Sequence, residues 1–518
     1  MKRMASATLC VLWIGGLAVA QTNRGPRAAT SSGHATHAAK PPADPAEAPL
    51  PALTPDPAIA AALNAISAER VQADIVKLVS FGTRNTLSSM STDLPQGQGI
   101  RAAAAWIEGQ FQDISQACGG CLEIKRDEFT QAASTEPGSR ITKPTRLINV
   151  YAILHGVGPG GTPPDKSSPW VLVTGHYDSR ASDVMDPKVA APGANDDASG
   201  VAVSLESARA LSKLKLPGTM VFVAVAGEEQ GLQGAKHLAR LARKEDWPLE
   251  AVLDNDIVGG DTTPGDTLQK KDVVRVFSEN VPALATPEQE KMLLGIGEEG
   301  DSPSRELARE IAELAPVYFA AADHSPGWAL RQQQAKAQNA AKVGPFHPVL
   351  ELRHDRYLRG GDHTAFNGEG FAAVRFTEWR ENYDHQHQTV RIENGKEYGD
   401  ELAFVDFNYV VKVAKLNAAT LASLAAAPSE PRNVRILTAK LDNNTDLAWD
   451  AAAFAPPGTT YEVVWRDTGA LLWQHAQSAG AATHLTLNVS KDNVLFGVRS
   501  VDTEGHRSVA VAPMPARQ

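Results

Sequence analysis

Five short stretches of this chain carry ionisable groups where apolar runs stop. "WVLVTGHYDS" ends on His176 and Asp178, and "PGANDDASG" holds Asn195, Asp196 and Asp197. "VFVAVAGEEQGLQGA" sets Glu228 beside Glu229, "AVLDNDIVG" contains Asp254 and Asp256, and "ENYDHQHQT" contains His385 and His387. Imidazole and carboxylate together suit Zn²⁺ or a similar divalent ion. Five ligands exceed what one open tetrahedral zinc takes. They fit two metals about 3.5–4 Å apart if one carboxylate bridges them. The adjacent glutamates then make physical sense. Successive side chains on extended chain point to opposite sides. One can bind metal while its neighbour faces an activated water as general base. Two dications also offset the repulsion between the carboxylates.

These groups need elements that bring them to one edge. "RLINVYAIL", "WVLVTGHY", "TMVFVAVA", "LEAVLDNDIVG" and "FAAVRFTE" read as strands, and "ASGVAVSLESARALSKL" and "GLQGAKHLARLARKE" as helices between them. "FVDFNYVVKVAKLNAATLASL" reads as a terminal helix. Strand–helix alternation implies an α/β fold: a mixed, mainly parallel central sheet with helices on both faces. Chemistry in such sheets gathers at the carboxyl ends of the strands, where most of the five stretches fall. After the linker "AAAPSEPRN" the rhythm changes to short β-like runs, including "DLAWD", "TYEVVWRD" and "VLFGVRSVD". This predicts a small all-β sandwich over residues 426–518.

Together the motifs "GHYDS", "PGANDDASG", "AGEEQGLQGA", "DNDIVG" and "DHQHQ", in this order, resemble the M28 metallopeptidases, the co-catalytic di-zinc aminopeptidases. The resemblance covers residues 58–425. It implies two Zn²⁺ ions, with His176 and Asp256 on the first, Glu229 and His387 on the second, and Asp196 bridging. It further implies Glu228 as general base and Asp178 as the partner that orients His176, with a cis bond at Asp196–Asp197. Asp256 is preferred to Asp254 because Ile257 supplies the apolar residue that follows the ligand, and His387 is preferred to His385. Asn195 stands where an acidic residue is common. The expected substrates are peptides or proteins with a free N-terminus. The C-terminal "LAWD", "YEVVWR" and "VRSVDTEGHRS" resemble a fibronectin type III domain, expected to be accessory and non-catalytic.

Blander roles compete at each position. A strand-end acid is usually solvated or a helix N-cap, and Asp197 and Ser199 fit a cap for the helix near Gly200. Asp362 and His363 in "GGDHTAF" fit a pocket lining or a structural role. Trp449, Tyr461 and Trp465 fit a sandwich core better than a carbohydrate platform. Within the same fold a glutaminyl cyclase needs one zinc. A carboxypeptidase needs cations for the substrate carboxylate, for which Arg353, Arg356 and Arg359 are candidates. A dead peptidase body serving as a binding module is the reading from another class.

Composition excludes other classes. The formal net charge of −10, with no long basic run, argues against nucleic acid as partner. The start "MKRMASATLCVLWIGGLAVAQ" has the pattern of a secretory signal peptide over residues 1–20. That pattern predicts an exported protein, secreted or periplasmic, with no membrane span in the mature chain. Residues 21–57, rich in Ala, Pro, Ser and Thr, read as a disordered linker or pro-region. Cys118 and Cys121 in "ACGGCLE" read as a disulfide staple.

Overall fold

Along Thr219–Val225 apolar side chains alternate between two cores. Met220, Phe222 and Ala224 enter one, and Val221, Val223 and Val225 enter the other. A strand that buries both faces must lie inside a sheet covered on both sides. Each large aliphatic or aromatic side chain so buried stabilises the fold by roughly 1.5–3 kcal/mol. The structure, a computed structural model, describes residues 48–319 and 345–517. The expected signal peptide and residues 21–47 of the expected linker lie outside the described residues.

Eight strands form the central sheet: β1 (Leu122–Gln131), β2 (Thr145–Leu154), β3 (Trp170–His176), β4 (Thr219–Val225), β5 (Leu249–Asn255), β6 (Val273–Ser278), β7 (His347–Glu351) and β8 (Ala373–Glu378). Their order is β1-β2-β4-β3-β5-β8-β6-β7. The four central strands β4, β3, β5 and β8 are mutually parallel, as are β6 and β7. The β1–β2, β2–β4 and β6–β8 pairs are antiparallel. Helices Ala198–Leu211 and Phe407–Ala426 supply the core on one face, and helices Gln233–Lys244 and His363–Asn367 supply the other. The carboxyl ends of β3, β4, β5 and β8 therefore open on one edge. The mixed α/β sheet and its helices agree with the fold expected from the strand–helix alternation.

Three sheet strands, β1, β6 and β7, have no counterpart in the expected list. β1 is an edge strand with five consecutive or near-consecutive charged residues from Glu123 to Glu128, so its sequence lacks an apolar run. Among the described residues no helix is long and apolar enough to cross a membrane. Cys118 and Cys121 form a disulfide at the end of helix Ile100–Ala117.

After a small hairpin of β9 (Arg391–Glu393) and β10 (Lys396–Tyr398), the C-terminal residues form two packed sheets. One contains β11 (Arg432–Leu437), β12 (Thr445–Asp450), β15 (His484–Leu487) and β17 (Met514–Ala516). The other contains β13 (Thr460–Asp467), β14 (His475–Gly480) and β16 (Val494–Val501). Trp449, Tyr461 and Trp465 are buried between them, in the core and not on a binding face. The segment before the first helix corrects the linker expected through residue 57. Pro49 bridges His475, the Ala476 amide donates to the Ala48 carbonyl, and Ala48 and Leu50 pack on the sandwich. Asp56 then caps helix Pro57–Leu63, accepting from the Ala58 and Ile59 amides.

Candidate metal centre

β3 ends on His176, whose imidazole is 1% exposed. Its Nε2 lies 3.1 Å from Asp196 Oδ1 and 3.7 Å from Asp256 Oδ1. The other oxygen of Asp196, Oδ2, lies 2.9 Å from His387 Nε2, which is 3.1 Å from Glu229 Oε1. Two groups of ligand atoms result, His176–Asp196–Asp256 and Asp196–Glu229–His387, and Asp196 offers one oxygen to each. Tetrahedral zinc with bonds of 2.0–2.2 Å sets neighbouring ligand atoms about 3.4 Å apart, so both groups have the right dimensions. Two buried atoms, His176 Nε2 and Glu229 Oε1, make no hydrogen bond within the chain, as expected of atoms reserved for a cation. All five expected ligands are thus brought together.

Side chains behind the ligands hold them in place. His176 Nδ1 donates to the main-chain oxygen of Asp178 at 3.1 Å, which leaves Nε2 to face the ligand group. The Asp178 carboxylate has a larger task than orienting an imidazole. It accepts from the amides of Gly227 (2.9 Å), Glu228 (3.2 Å) and Glu229 (3.1 Å) and from the Thr86 hydroxyl (2.9 Å). It therefore pins the loop after β4 that carries both glutamates. Asp197 caps helix Ala198–Leu211, as its position near Gly200 suggests, accepting from Gly200 at 2.9 Å. It also accepts from the His176 amide at 3.0 Å, tying the end of β3 to the loop of Asp196. The Asp196–Asp197 peptide bond is cis.

The two open alternatives separate cleanly. Asp254, still inside β5, accepts from the His363 amide at 3.1 Å and serves the packing of helix His363–Asn367. Asp256 lies just past the strand end, where the chain turns at Ile257 with φ +63°. His385 is engaged with the Gly399 carbonyl and the Thr263 hydroxyl and stacks on Phe404. His387, at φ +60°, swings the other way into the ligand group. His363 bonds to the His354 carbonyl at 2.9 Å, a structural role, while the neighbouring Asp362 is buried with neither oxygen partnered. Arg356 and Arg359 both bind Glu381, and Arg353 stacks over the exposed ring of Tyr357.

Three further residues of this centre were not singled out from the sequence. Arg375 on β8, fully buried, binds Asp256 Oδ2 at 2.9 Å and Asp355 at 3.2 Å. Asp400 accepts from the amides of Asn195 (2.8 Å) and Asp196 (2.7 Å). Gln386 donates to Asp196 Oδ2 at 3.2 Å. Gln386 sits inside "DHQHQ" beside His387, where only the histidines drew attention, whereas Arg375 and Asp400 belong to no motif and reach the centre only through long-range folding. The Arg-plus-carboxylate composition of "AVRFTE" and "EYGDEL" offered no spacing to read.

The electrostatics show what the centre requires. Burial pushes the Glu228 carboxyl well above the usual carboxylate range; His176 opposes this, and Glu229, Asp256 and Asp196 add to it. Burial disfavours charge on His387, yet Glu229 and Asp196 overcome it and carry the imidazole up to about 10. His176 rises in the same way, burial being outweighed by Asp178, Asp196 and Asp256. Burial would raise Asp196, but its contacts with His176 and His387 hold it well below the ordinary value. The cluster concentrates negative charge and draws in positive charge. A divalent metal meets that demand while leaving the imidazoles neutral as ligands.

Residues 153–299 match the sequence profile of peptidase family M28. Over 465 residues the chain is 41% identical to a probable zinc metalloprotease of Pyrenophora teres f. teres, covering 89% of this chain and 88% of that protein. It is 42% identical over 462 residues to a probable zinc metalloprotease of Leptosphaeria maculans, covering 89% and 98%. A third such relative, from Pyricularia oryzae, is 41% identical over 482 residues, covering 92% and 88%. Fold and site define a metallopeptidase body, and the chain belongs to peptidase family M28.

Proposed function

We propose that this protein, a zinc metallopeptidase of family M28, is an exported aminopeptidase that holds two zinc ions and releases N-terminal residues from peptides. The observation that carries the reading is the placement of Asp196, with Oδ1 in the His176 group and Oδ2 in the His387 group. In this reading His176, Asp196 and Asp256 hold one ion, and Asp196, Glu229 and His387 the other. When bound, zinc supplies Lewis acidity, drawing the pKa of water toward neutrality and stabilising negative charge on the scissile carbonyl oxygen.

The chain's own groups do the rest. Glu228 is only partly buried, and among the described residues its carboxylate accepts no hydrogen bond. It is free to take the proton of the attacking water and deliver it to the departing amine nitrogen. Asp178 fixes the Glu228 and Glu229 backbone through three amides, so the base and its neighbouring ligand keep one geometry.

The carboxypeptidase alternative needs unpaired cations for a substrate carboxylate, and Glu381 engages both Arg356 and Arg359. The glutaminyl cyclase alternative needs one zinc, which leaves the second ligand group without purpose. An intact base and full ligand set weigh against an inactive binding module. The N-terminal pattern of residues 1–20 and the Cys118–Cys121 disulfide support export to an oxidising compartment. The C-terminal sandwich, four strands over three, supports a fibronectin type III-like accessory domain.

A panel of aminoacyl chromogenic substrates, with metal analysis on the same sample, tests this. The expected result is two zinc per chain and turnover of free-amine but not N-blocked substrates. One zinc per chain, or equal turnover of N-blocked peptides, would refute it.

A further inference from the structure

A second chamber lies at the opposite edge of the sheet from the metal centre. Its walls include Asn280 just after β6 and Gly370 just before β8, so it sits by the amino end of β8, whereas the metal centre lies beyond the carboxyl end. The six residues of β8 separate the two by on the order of 20 Å. None of the metal-centre residues lines it. Its volume is about 430 Å³, within the range of small-molecule sites. It occupies the seam between the peptidase body and the sandwich, which contributes Ala510, Val511, Ala512 and Met514.

The lining combines an apolar wall with unsatisfied carboxylates. Leu284, Leu293, Val511 and Met514 form the apolar part, and Glu298, Asp301, Glu306 and Glu430 the acidic part. Asp301 is 6% exposed and Glu306 2% exposed. Arg309 binds one oxygen of each, and Arg466 shares that of Asp301. Their other oxygens, Asp301 Oδ2 and Glu306 Oε2, are buried without a partner, and so is Glu298 Oε2. A buried carboxylate oxygen left without a donor is costly. All three oxygens belong to residues that line this chamber, and burial pushes the Glu298 and Glu306 carboxyls up to about 8, so a cation brought against them would favour their charged forms. No cation offsets the burial of Glu298 or Glu430. The one cationic residue of the lining, Arg243, lies over the Phe371 ring at 4.5 Å and donates to the Glu369 carbonyl.

A metal ion does not fit this chamber. Among the described residues only three groups bring ligand atoms within 4.8 Å of one another: two at the metal centre and one at Asp502, Glu504 and His506. The chamber's carboxylates are spread around a larger space with an apolar wall. A donor with several N–H groups on an apolar body matches both features, the N–H groups meeting the free oxygens and the body covering the leucines. We propose that the seam chamber binds a small organic cation, an amine or amidine carried on an apolar body, at a site separate from the metal centre.

Isothermal titration of the full zinc-loaded chain with benzamidine tests this, with benzamide as the neutral isostere and calcium chloride as the metal control. Glu298→Gln and Glu430→Gln are the informative variants. Neither residue is paired to a cation, so each substitution leaves the fold intact and the peptidase activity unchanged. Asp196→Asn reports on the metal centre. The expected result is one benzamidine per chain in wild type and in Asp196→Asn, at least tenfold weaker binding in Glu298→Gln and Glu430→Gln, and no binding of benzamide. The proposal is overturned by undiminished binding in both glutamine variants, or by binding lost in Asp196→Asn, which would place the amidine at the metal centre. It is equally overturned by equal binding of benzamide, by absence of benzamidine binding at millimolar concentration, or by calcium binding that Glu298→Gln abolishes.

Discussion

Glu228→Gln should lower activity and raise stability together, a pairing that only a functional carboxylate explains. The substitution conserves volume and leaves every hydrogen bond of the loop in place, because Asp178 grips the backbone of residues 227–229 and not the Glu228 side chain. The amide cannot accept the proton of an attacking water, so kcat should fall by ~10²–10⁴. That corresponds to about 2.7–5.5 kcal/mol added to the barrier. Stability moves the other way. The folded-state pKa of Glu228 is raised, chiefly by burial, with Glu229, Asp256 and Asp196 adding repulsion. A carboxyl with a raised folded pKa favours the fold when protonated. Its contribution turns unfavourable as pH rises from the unfolded value near 4.3 toward the folded one. Above that window wild type carries a penalty that glutamine lacks. Denaturant unfolding of chelator-stripped protein at pH 7–8 should therefore show Glu228→Gln more stable than wild type, and the difference should vanish near pH 4. The zinc content of the loaded variant should match wild type. Turnover within tenfold of wild type would refute the assigned role, and so would zinc loss.

Asp196→Asn should instead lose metal from both groups, since one oxygen serves each; metal analysis after dialysis checks it, and full retention of zinc would count against bridging. Arg375→Met should destabilise by about 3–5 kcal/mol in denaturant unfolding of the metal-free chain, because it removes the buried arginine bound to Asp256, while Asp355 keeps Arg356. Asp400→Asn should weaken zinc retention while leaving Glu229 and its loop untouched, since its carboxylate holds the Asn195 and Asp196 amides; unchanged zinc affinity would exclude that role. His506→Gln tests the contact between the N-terminal segment and the sandwich. His506 is raised by its hydrogen bond to Asp502 with burial opposing, and Asp502 and Asp56 are lowered despite burial. The His506 contribution is present in full below its unfolded pKa near 6.5 and is lost as pH rises through the raised folded value. The carboxylate contributions are lost as pH falls below about 4. The stability gap between wild type and His506→Gln should be widest between about pH 4 and 6.5 and close at alkaline pH; a gap independent of pH would refute the ionic contact.

Much of the site was readable because its signals are local. Residue type, position at the end of an apolar run and order along the chain singled out His176, Asp196, Glu228 and Glu229 before any folding was known. Continuous apolar runs such as Thr219–Val225 marked strands, and the structure shows this one buried on both faces. β1 escaped notice because an exposed edge strand carries charges in place of an apolar run.

Choices between near neighbours needed the folded chain. Asp254 and Asp256 are both strand-end acids of the same parity, and only the turn at Ile257 sends one toward His176 and leaves the other with His363. His385 and His387 differ in what packs against them: Phe404 and Gly399 claim the first, Asp196 and Glu229 the second. Arg375 and Asp400 meet their partners at the centre across 119 and 204 residues of chain. No periodicity or spacing reaches that far. Sequence determined which groups can bind and transfer protons, because that is a property of each side chain. Tertiary structure decided which of them share one charge cluster, because distance and burial set the strength of those interactions and belong to the packed sheet.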